Sequence, residues 1–280
     1  SGGRNIATKG EDYWFGTEVT KSADGDSIIT ILAGDAGTSI PLTIKDDEIY
    51  EYDQILRVGI RILSTVDDND AGDLGDDSVY TYKIINTEPE PFIRFEADVT
   101  ANETNTGINN EVVTISLVDN ASNLVQSEKP ITASYKLDTD KDESETDYTS
   151  ASLDLNNNPD NKYSDDFVFA DDDLSFAVRT YNYNSESGEY AATAGESSKD
   201  ITLSIYGDDL YEVDEYVNLE LYNFTNIQTT ELADGDHSYV YTIQNDDGIP
   251  LIVWLVDNPT ITEGPDAESV GSYQNEDIKV

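Results

Sequence analysis

Residues 205–215 read IYGDDLYEVDE, with Asp208, Asp209, Glu212, Asp214 and Glu215 in eight consecutive positions. Carboxylates this close repel one another unless water or a cation screens them. Their oxygens are hard ligands, the kind Ca2+ takes in sets of six to eight. A related stretch comes earlier, IKDDEIYEYDQ at 44–54. The chemistry these residues point to is cation binding. No GxSxG, P-loop or HExxH motif is present, and His237 is the only histidine. Carboxylates crowded side by side suit a metal better than acid–base catalysis, so no enzyme activity is expected.

The elements that must hold these acids are strands. Ile201, Leu203 and Ile205 alternate into the loop, and Val217, Leu219 and Leu221 alternate out of it. That is the period-two pattern of half-buried strands. Leu56, Val58, Ile60 and Ile62 repeat it after the earlier acidic stretch, and Tyr80, Tyr82 and Ile84 share a face of a further strand. Tyr80 and Tyr82, like Tyr239 and Tyr241, are expected in core or cross-strand packing. Helical periodicity is missing throughout.

Composition narrows the partners. With 59 acidic against 15 basic residues, the formal charge is −44. Nucleic acid and anionic lipid are disfavoured on electrostatics, whereas divalent cations are favoured. The 18 tyrosines and the alternating aliphatic runs separate this chain from disordered acidic tails. No cysteine is present, so disulfide frameworks and thiol chemistry are excluded. The apolar runs are too short for membrane insertion of this segment. The chain lacks Met altogether, including at position 1, and reads as a piece of something longer.

Acidic landmarks recur at a near-constant offset. Asp47 to Asp208 is 161 positions, Glu103 to Glu263 is 160, and Glu88 to Asp247 is 159. The repeat divides the chain into 1–90, 91–249 and 250–280. The first unit lacks its opening strands, and the third carries only those strands. Asp12 is paired with Asp147, and the irregular offset there is ascribed to an insertion at about 154–195. Within that insertion a hairpin is expected, with Phe167, Phe169, Phe176 and Val178 in its strands and Asp171–Asp173 at its tip. Tandem β-sandwiches fit this pattern.

In this ordered set the chain resembles the Calx-beta family, immunoglobulin-like sandwiches of sodium–calcium exchangers, integrin β4 and large bacterial surface proteins. The matching positions are Glu103, Asp147-Tyr148, Asp208-Asp209, Glu212, Glu215 and Asn245-Asp246-Asp247. The resemblance implies an all-β fold of tandem immunoglobulin-like Calx-beta sandwiches, with Ca2+ held by acidic loops at one end. For the second unit it implies Glu103, Asp147, Asp208, Asp209, Glu212, Glu215, Asp246 and Asp247 as ligands. For the first it implies Asp12, Asp47, Glu48, Glu51 and Glu88, and for the third Glu263. Gln54 stands where the second unit has Glu215, so fewer or weaker ions are expected in the first.

The function this implies is a calcium-binding structural segment of an extracellular or cell-surface adhesin, stalk or fibre. Its partners would be neighbouring Calx-beta repeats of the parent protein. Head-to-tail copies joined by strand complementation would be further partners. A Ca2+-sensing regulatory module is one alternative. Another is adhesion to a receptor or glycan through Tyr181, Tyr183 and Tyr190 of the insertion. Asp67–Asp77 and Asp171–Asp173 are open between further Ca2+ clips and plain acidic turns.

Overall fold

The computed structural model describes residues 6–16, 20–21, 27–32, 34–61, 78–138, 166–185, 189–230 and 236–252, and every regular element among them is a strand. The N-terminal strands are β1 (Tyr13–Phe15), β2 (Thr20–Lys21), β3 (Ser27–Ile28), β4 (Leu42–Ile44), β5 (Ile49–Tyr50), β6 (Gln54–Gly59) and β7 (Val79–Ile84). There follow β8 (Phe92–Phe95), β9 (Val99–Asn102), β10 (Gly107–Val118), β11 (Gln126–Ser127), β12 (Ile131–Leu137) and β13 (Phe167–Val168). The last are β14 (Asp172–Phe176), β15 (Thr180–Asn184), β16 (Glu189–Thr193), β17 (Ser198–Gly207), β18 (Glu215–Thr225) and β19 (Ser238–Gln244).

Period-two alternation builds the core of a β-sandwich. In β10, Val113, Ile115 and Leu117 turn inward, while Val112, just before them, is 61% exposed. Ile201, Leu203 and Ile205 of β17 do the same in the sheet β13-β17-β10-β8. The facing sheet, β14-β12-β18-β19-β9, contributes Leu174, Ile131, Val217, Leu219, Tyr239 and Tyr241 to the same cluster. Each such side chain stabilises the fold by about 1.5–3 kcal/mol when fully buried. Within these two sheets the pairings are antiparallel except β19 with β9, which is parallel.

The segment after residue 166 is part of this sandwich, which corrects the expected hairpin. β13 pairs with β17 in one sheet, and β14 pairs with β12 in the other. Phe167 and Phe176 are therefore core residues on opposite layers. Asp171–Asp173 lie at the crossing, where Asp171 accepts a bond from the Leu137 amide (3.0 Å) and Asp173 one from the Ser134 hydroxyl (2.5 Å). The hairpin of this region is β15–β16.

The N-terminal unit consists of strand pairs: β1 with β4, β2 with β3, and β6 with β7. In β6, Gln54 and Leu56 are buried, and Ile55 and Arg57 face out. Tyr80 and Tyr82 sit across from Val58 and Leu56, yet are 68% and 38% exposed, so they are not core. Tyr239 and Tyr241 are core. A short parallel bridge ties this unit to the sandwich: Gln126 of β11 pairs with Ile49 of β5, and Ser127 with Tyr50.

Candidate metal centre

Strand register brings the acids of the sandwich to one end. Glu103 directly follows β9, whose last residue, Asn102, pairs with Gln244 at the end of β19. Asp247 lies three residues beyond. Gly207 ends β17 opposite Gly107, and Glu215 opens β18 opposite Ile243. Asp166 precedes β13, where Phe167 pairs with Ile205. Gly207 is fixed by close approach: a Cβ there would lie 1.6 Å from the Thr104 carbonyl oxygen. That leaves room for the Asp208 amide to donate to Glu103 Oε1 at 3.2 Å.

Two triads result. Oxygens of Glu103, Asp208 and Asp247 lie within 4.8 Å of one another, as do those of Asp166, Glu212 and Glu215. Burial is the largest cause pushing Glu103 up to about 7, reinforced by Asp208, Glu212 and Asp247. Burial also raises Glu212 and Glu215. A hydrogen bond with the Asp166 carboxyl beside it and its charge raise Glu215 further. Burial and crowding thus work against the charged form of these carboxyls, and a cation placed among them would favour it. Two triads supply enough oxygens for a pair of ions when backbone carbonyls or water complete each shell.

The loops are held by a hydrogen-bond frame that recurs in the N-terminal unit. Asp208 Oδ1 accepts from Leu210 N (2.7 Å), and Asp47 Oδ1 accepts from Ile49 N (3.1 Å). Asn245 Oδ1 accepts from Glu212 N (3.0 Å), and Asn86 Oδ1 from Glu51 N (3.3 Å). Asn245 N donates to Asp214 (3.3 Å), as Asn86 N does to Asp53 (3.1 Å). The Asn245 amide donates to Asp247 O (3.0 Å), as the Asn86 amide does to Glu88 O (2.8 Å). Tyr206 N donates to Asp166 O at 2.8 Å, and Lys45 N to Asp12 O at 2.9 Å.

That last pair corrects the alignment of the units: the counterpart of Asp12 is Asp166, not Asp147. Sequence reasoning missed Asp166 as a candidate ligand. The signal was present, because Asp12 precedes aromatics at 13 and 15 just as Asp166 precedes Phe167 and Phe169. Asp147 and Glu263 lie outside the described residues. Asp209 and Asp246 are exposed and belong to neither triad.

In the N-terminal unit, Asp12 and Glu51 are 5% and 9% exposed, Asp47 and Glu88 are half-buried, and Glu48 is exposed. Asp12 accepts a bond from the Thr8 amide. Gln54 Nε2 donates to Glu51 Oε2 at 2.7 Å, where the sandwich has the Glu212–Glu215 pair. Burial pushes Glu51 up to about 8, and Glu128, Asp12, Asp47 and Glu88 add to this through their charges. Glu128, which sequence reasoning also missed, comes from the sandwich. Among the described residues, only the two sandwich triads draw three carboxylate oxygens within 4.8 Å.

The three tyrosines separate. Tyr183 and Tyr190 are 58% and 37% exposed, with ring centroids 5.0 Å apart. Tyr181 is 4% exposed, which overturns its assignment to a contact surface. Its hydroxyl bonds Glu128 and accepts from Arg179 Nε at 3.1 Å.

No protein-family model matches the sequence, and no curated protein matches it. Among solved structures, the chain is similar to the calcium binding domain CBD12 of CALX1.1, with 17% identity and a TM-score of 0.33 over 55% of this chain and 44% of that one. It is similar to CBD12 from CALX1.2 at 15% identity and a TM-score of 0.33, over 55% and 45%. It is also similar to the apo-form Calx CBD1 domain at 16% identity and a TM-score of 0.32, over 56% of this chain and 99% of that one. The chain thus spans less than half the length of the first two.

Proposed function

We propose that this chain is a non-catalytic calcium-binding segment of an extracellular or cell-surface stalk, fibre or adhesin, in which Ca2+ stiffens loops and the joins between repeats. The observation that carries it is the pair of carboxylate triads at one end of the sandwich. Hard oxygen donors in that number and at that spacing suit Ca2+. The acids also come from separate segments, so an ion that binds them staples loops that are far apart in sequence. Millimolar Ca2+ outside cells fits a structural role, whereas a sensor would fill near micromolar Ca2+. Calorimetric titration of the whole chain, paired with melts in Ca2+ and EDTA, tests the proposal. Several ions and a higher melting temperature are expected; a flat titration and an unchanged melt overturn it.

One edge of β7, which no described strand covers, favours a second element of this reading. In the sandwich, β9 adds in parallel to β19, but β7, the counterpart of β19, pairs among the described residues only with β6. Val79, Tyr80 and Ile85 on or beside it are 50%, 68% and 64% exposed. By the repeat offset, residues 259–262 match β9 and Glu263 matches Glu103. Strand addition by that segment of a second copy would cover the edge and bring a carboxylate to the N-terminal acids. Light scattering across a concentration series should show association that Ile261→Pro abolishes. A wild-type chain that stays monomeric throughout refutes it.

A further inference from the structure

The β15–β16 hairpin is a two-stranded sheet of its own, paired with neither layer of the sandwich. Its register sets Tyr183 directly opposite Tyr190, and Tyr181 opposite Ala192. Residues opposite one another in an antiparallel pair share a face, and so do positions two apart along a strand. Tyr181, Tyr183, Tyr190 and Ala192 therefore lie on one face of the hairpin. Tyr181 closes the base, buried, with its hydroxyl bonded to Glu128 and Arg179. Further out, Tyr183 and Tyr190 are exposed, with ring centroids 5.0 Å apart and planes tilted by 50°. A two-stranded hairpin is marginally stable in water by itself, so the outer half of this one has most to gain from a further tie.

Composition gives this pair a chemical meaning. The chain has neither cysteine nor methionine, the side chains that ordinarily take up oxidising equivalents. No disulfide can tie its strands. It has instead 18 tyrosines and two tryptophans, so an oxidant that reaches the surface meets phenol and indole rings. Removing an electron and a proton from a phenol leaves a radical shared between the oxygen and the ring carbons ortho and para to it. Two such rings in contact couple through their ortho carbons. Coupled rings are twisted about the new bond rather than stacked flat, and the 50° tilt between Tyr183 and Tyr190 is already of that kind. Other tyrosine rings pack on phenylalanine, which forms no such radical: Tyr13 on Phe15, Tyr239 on Phe95 and Tyr135 on Phe169.

We propose that Tyr183 and Tyr190 are a site of oxidative cross-linking, joined ortho carbon to ortho carbon as a dityrosine by a one-electron oxidant of the haem peroxidase class, driven by hydrogen peroxide. The oxidant takes one electron and the phenolic proton from each ring. The two radicals combine in one carbon–carbon bond. The hydrogen on each coupled carbon then passes as a proton to the oxygen of its own ring, which restores both phenols. The net change is the loss of one hydrogen atom from each tyrosine, while one hydrogen peroxide becomes two waters. The bond closes the outer half of the hairpin as Tyr181 closes its base. It needs no cation, so it goes beyond the calcium reading and is tested apart from it. Tyr13 is the rival partner, because its hydroxyl feels the charge of Tyr190, but its ring packs edge-on against Phe15.

The test uses the whole chain in EDTA, at low protein concentration, treated with hydrogen peroxide and a haem peroxidase. Trypsin cuts after Arg179 and Lys199 and so releases both tyrosines in one peptide. Cross-linking should make that peptide lighter by two hydrogen atoms. Cleavage after Glu186 and Glu189, between the two tyrosines, should then leave the fragments joined. Tyr183→Phe and Tyr190→Phe should each abolish the joined fragments and the dityrosine fluorescence they carry, whereas Tyr13→Phe should keep both. A synthetic 180–199 peptide, which lacks the anchored base, should link in markedly lower yield, because strand pairing and not nearness in sequence brings the rings together. The proposal is overturned if wild type gives no joined fragments, if Tyr183→Phe still gives them, or if the free peptide links as well as the protein. Coupling only between copies, seen as covalent dimers on a denaturing gel, overturns it too.

Discussion

Glu103 offers the sharpest test of the metal centre, because burial and three acids act on it in the same direction. In the metal-free native state its carboxyl is pushed up to about 7 from 4.5. Above pH 4.5 the unfolded chain has released this proton, but the native state keeps it until about pH 7. The native state therefore binds more protons across that window, and its stability falls as pH rises through it. At about 1.4 kcal/mol per unit, the loss attributable to Glu103 is about 3 kcal/mol between pH 4.5 and 8. For a domain of this size that is a drop of about 6–12 °C in melting temperature. The net charge of −44 adds a loss of the same sign, so wild type must be compared with Glu103→Gln at fixed ionic strength. Circular-dichroism melts in EDTA at pH 4.5 and 8 should show the larger decline in wild type. With saturating Ca2+ the wild-type decline should shrink or reverse, because the ion favours the charged carboxylate. Equal declines in the two proteins in EDTA would refute the account of Glu103.

Three other substitutions probe separate links. Asp166→Asn removes a charge facing Glu215, so it should raise the melting temperature in EDTA and delete one ion from a Ca2+ titration. Gly207→Ala places a Cβ on the Thr104 backbone, which should part Glu103 from Asp208 and weaken Ca2+ binding in the same titration. Phe167→Ala should cost about 3–5 kcal/mol in urea denaturation, because the residue is fully buried in the sandwich and not part of a dispensable insertion.

The strands around the acidic loop were legible because one face of each is wet. Ile201, Leu203 and Ile205 alternate with polar residues, and the sandwich buries them as that pattern requires. The fixed offset between acids was legible too, since the Asn245 and Asn86 frames depend on local spacing. Asp166 was hidden by a competing match at Asp147-Tyr148 in an acid-rich stretch. Glu128 carries no motif; only the pairing of β11 with β5, 77 positions apart at Ser127 and Tyr50, brings its charge to bear on Glu51. Tyr181 and Tyr183 look alike at period two, yet one is buried and the other exposed. The difference is position along the hairpin: Tyr181 lies at its base beside Arg179 and Glu128, and Tyr183 lies further out.

The division between core and metal centre predicts how the protein should respond to a chelator. The buried cluster joins the two sheets through aliphatic and aromatic side chains, and none of the triad acids belongs to it. Two-sheet packing therefore does not need the ion. The loops at 208–214 and 245–247 have their own frame of single hydrogen bonds at 2.7–3.3 Å, each worth about 1 kcal/mol net. Repulsion among Asp166, Glu212 and Glu215 acts against that frame. Stripping the ion should loosen these loops while leaving the sheets closed. Hydrogen exchange in EDTA should speed up at Leu210, Glu212 and Asn245 and stay slow at Ile115 and Leu203. Uniform loss of protection, as in domains that fold only around a metal, would show that the acids carry the fold rather than fasten its end.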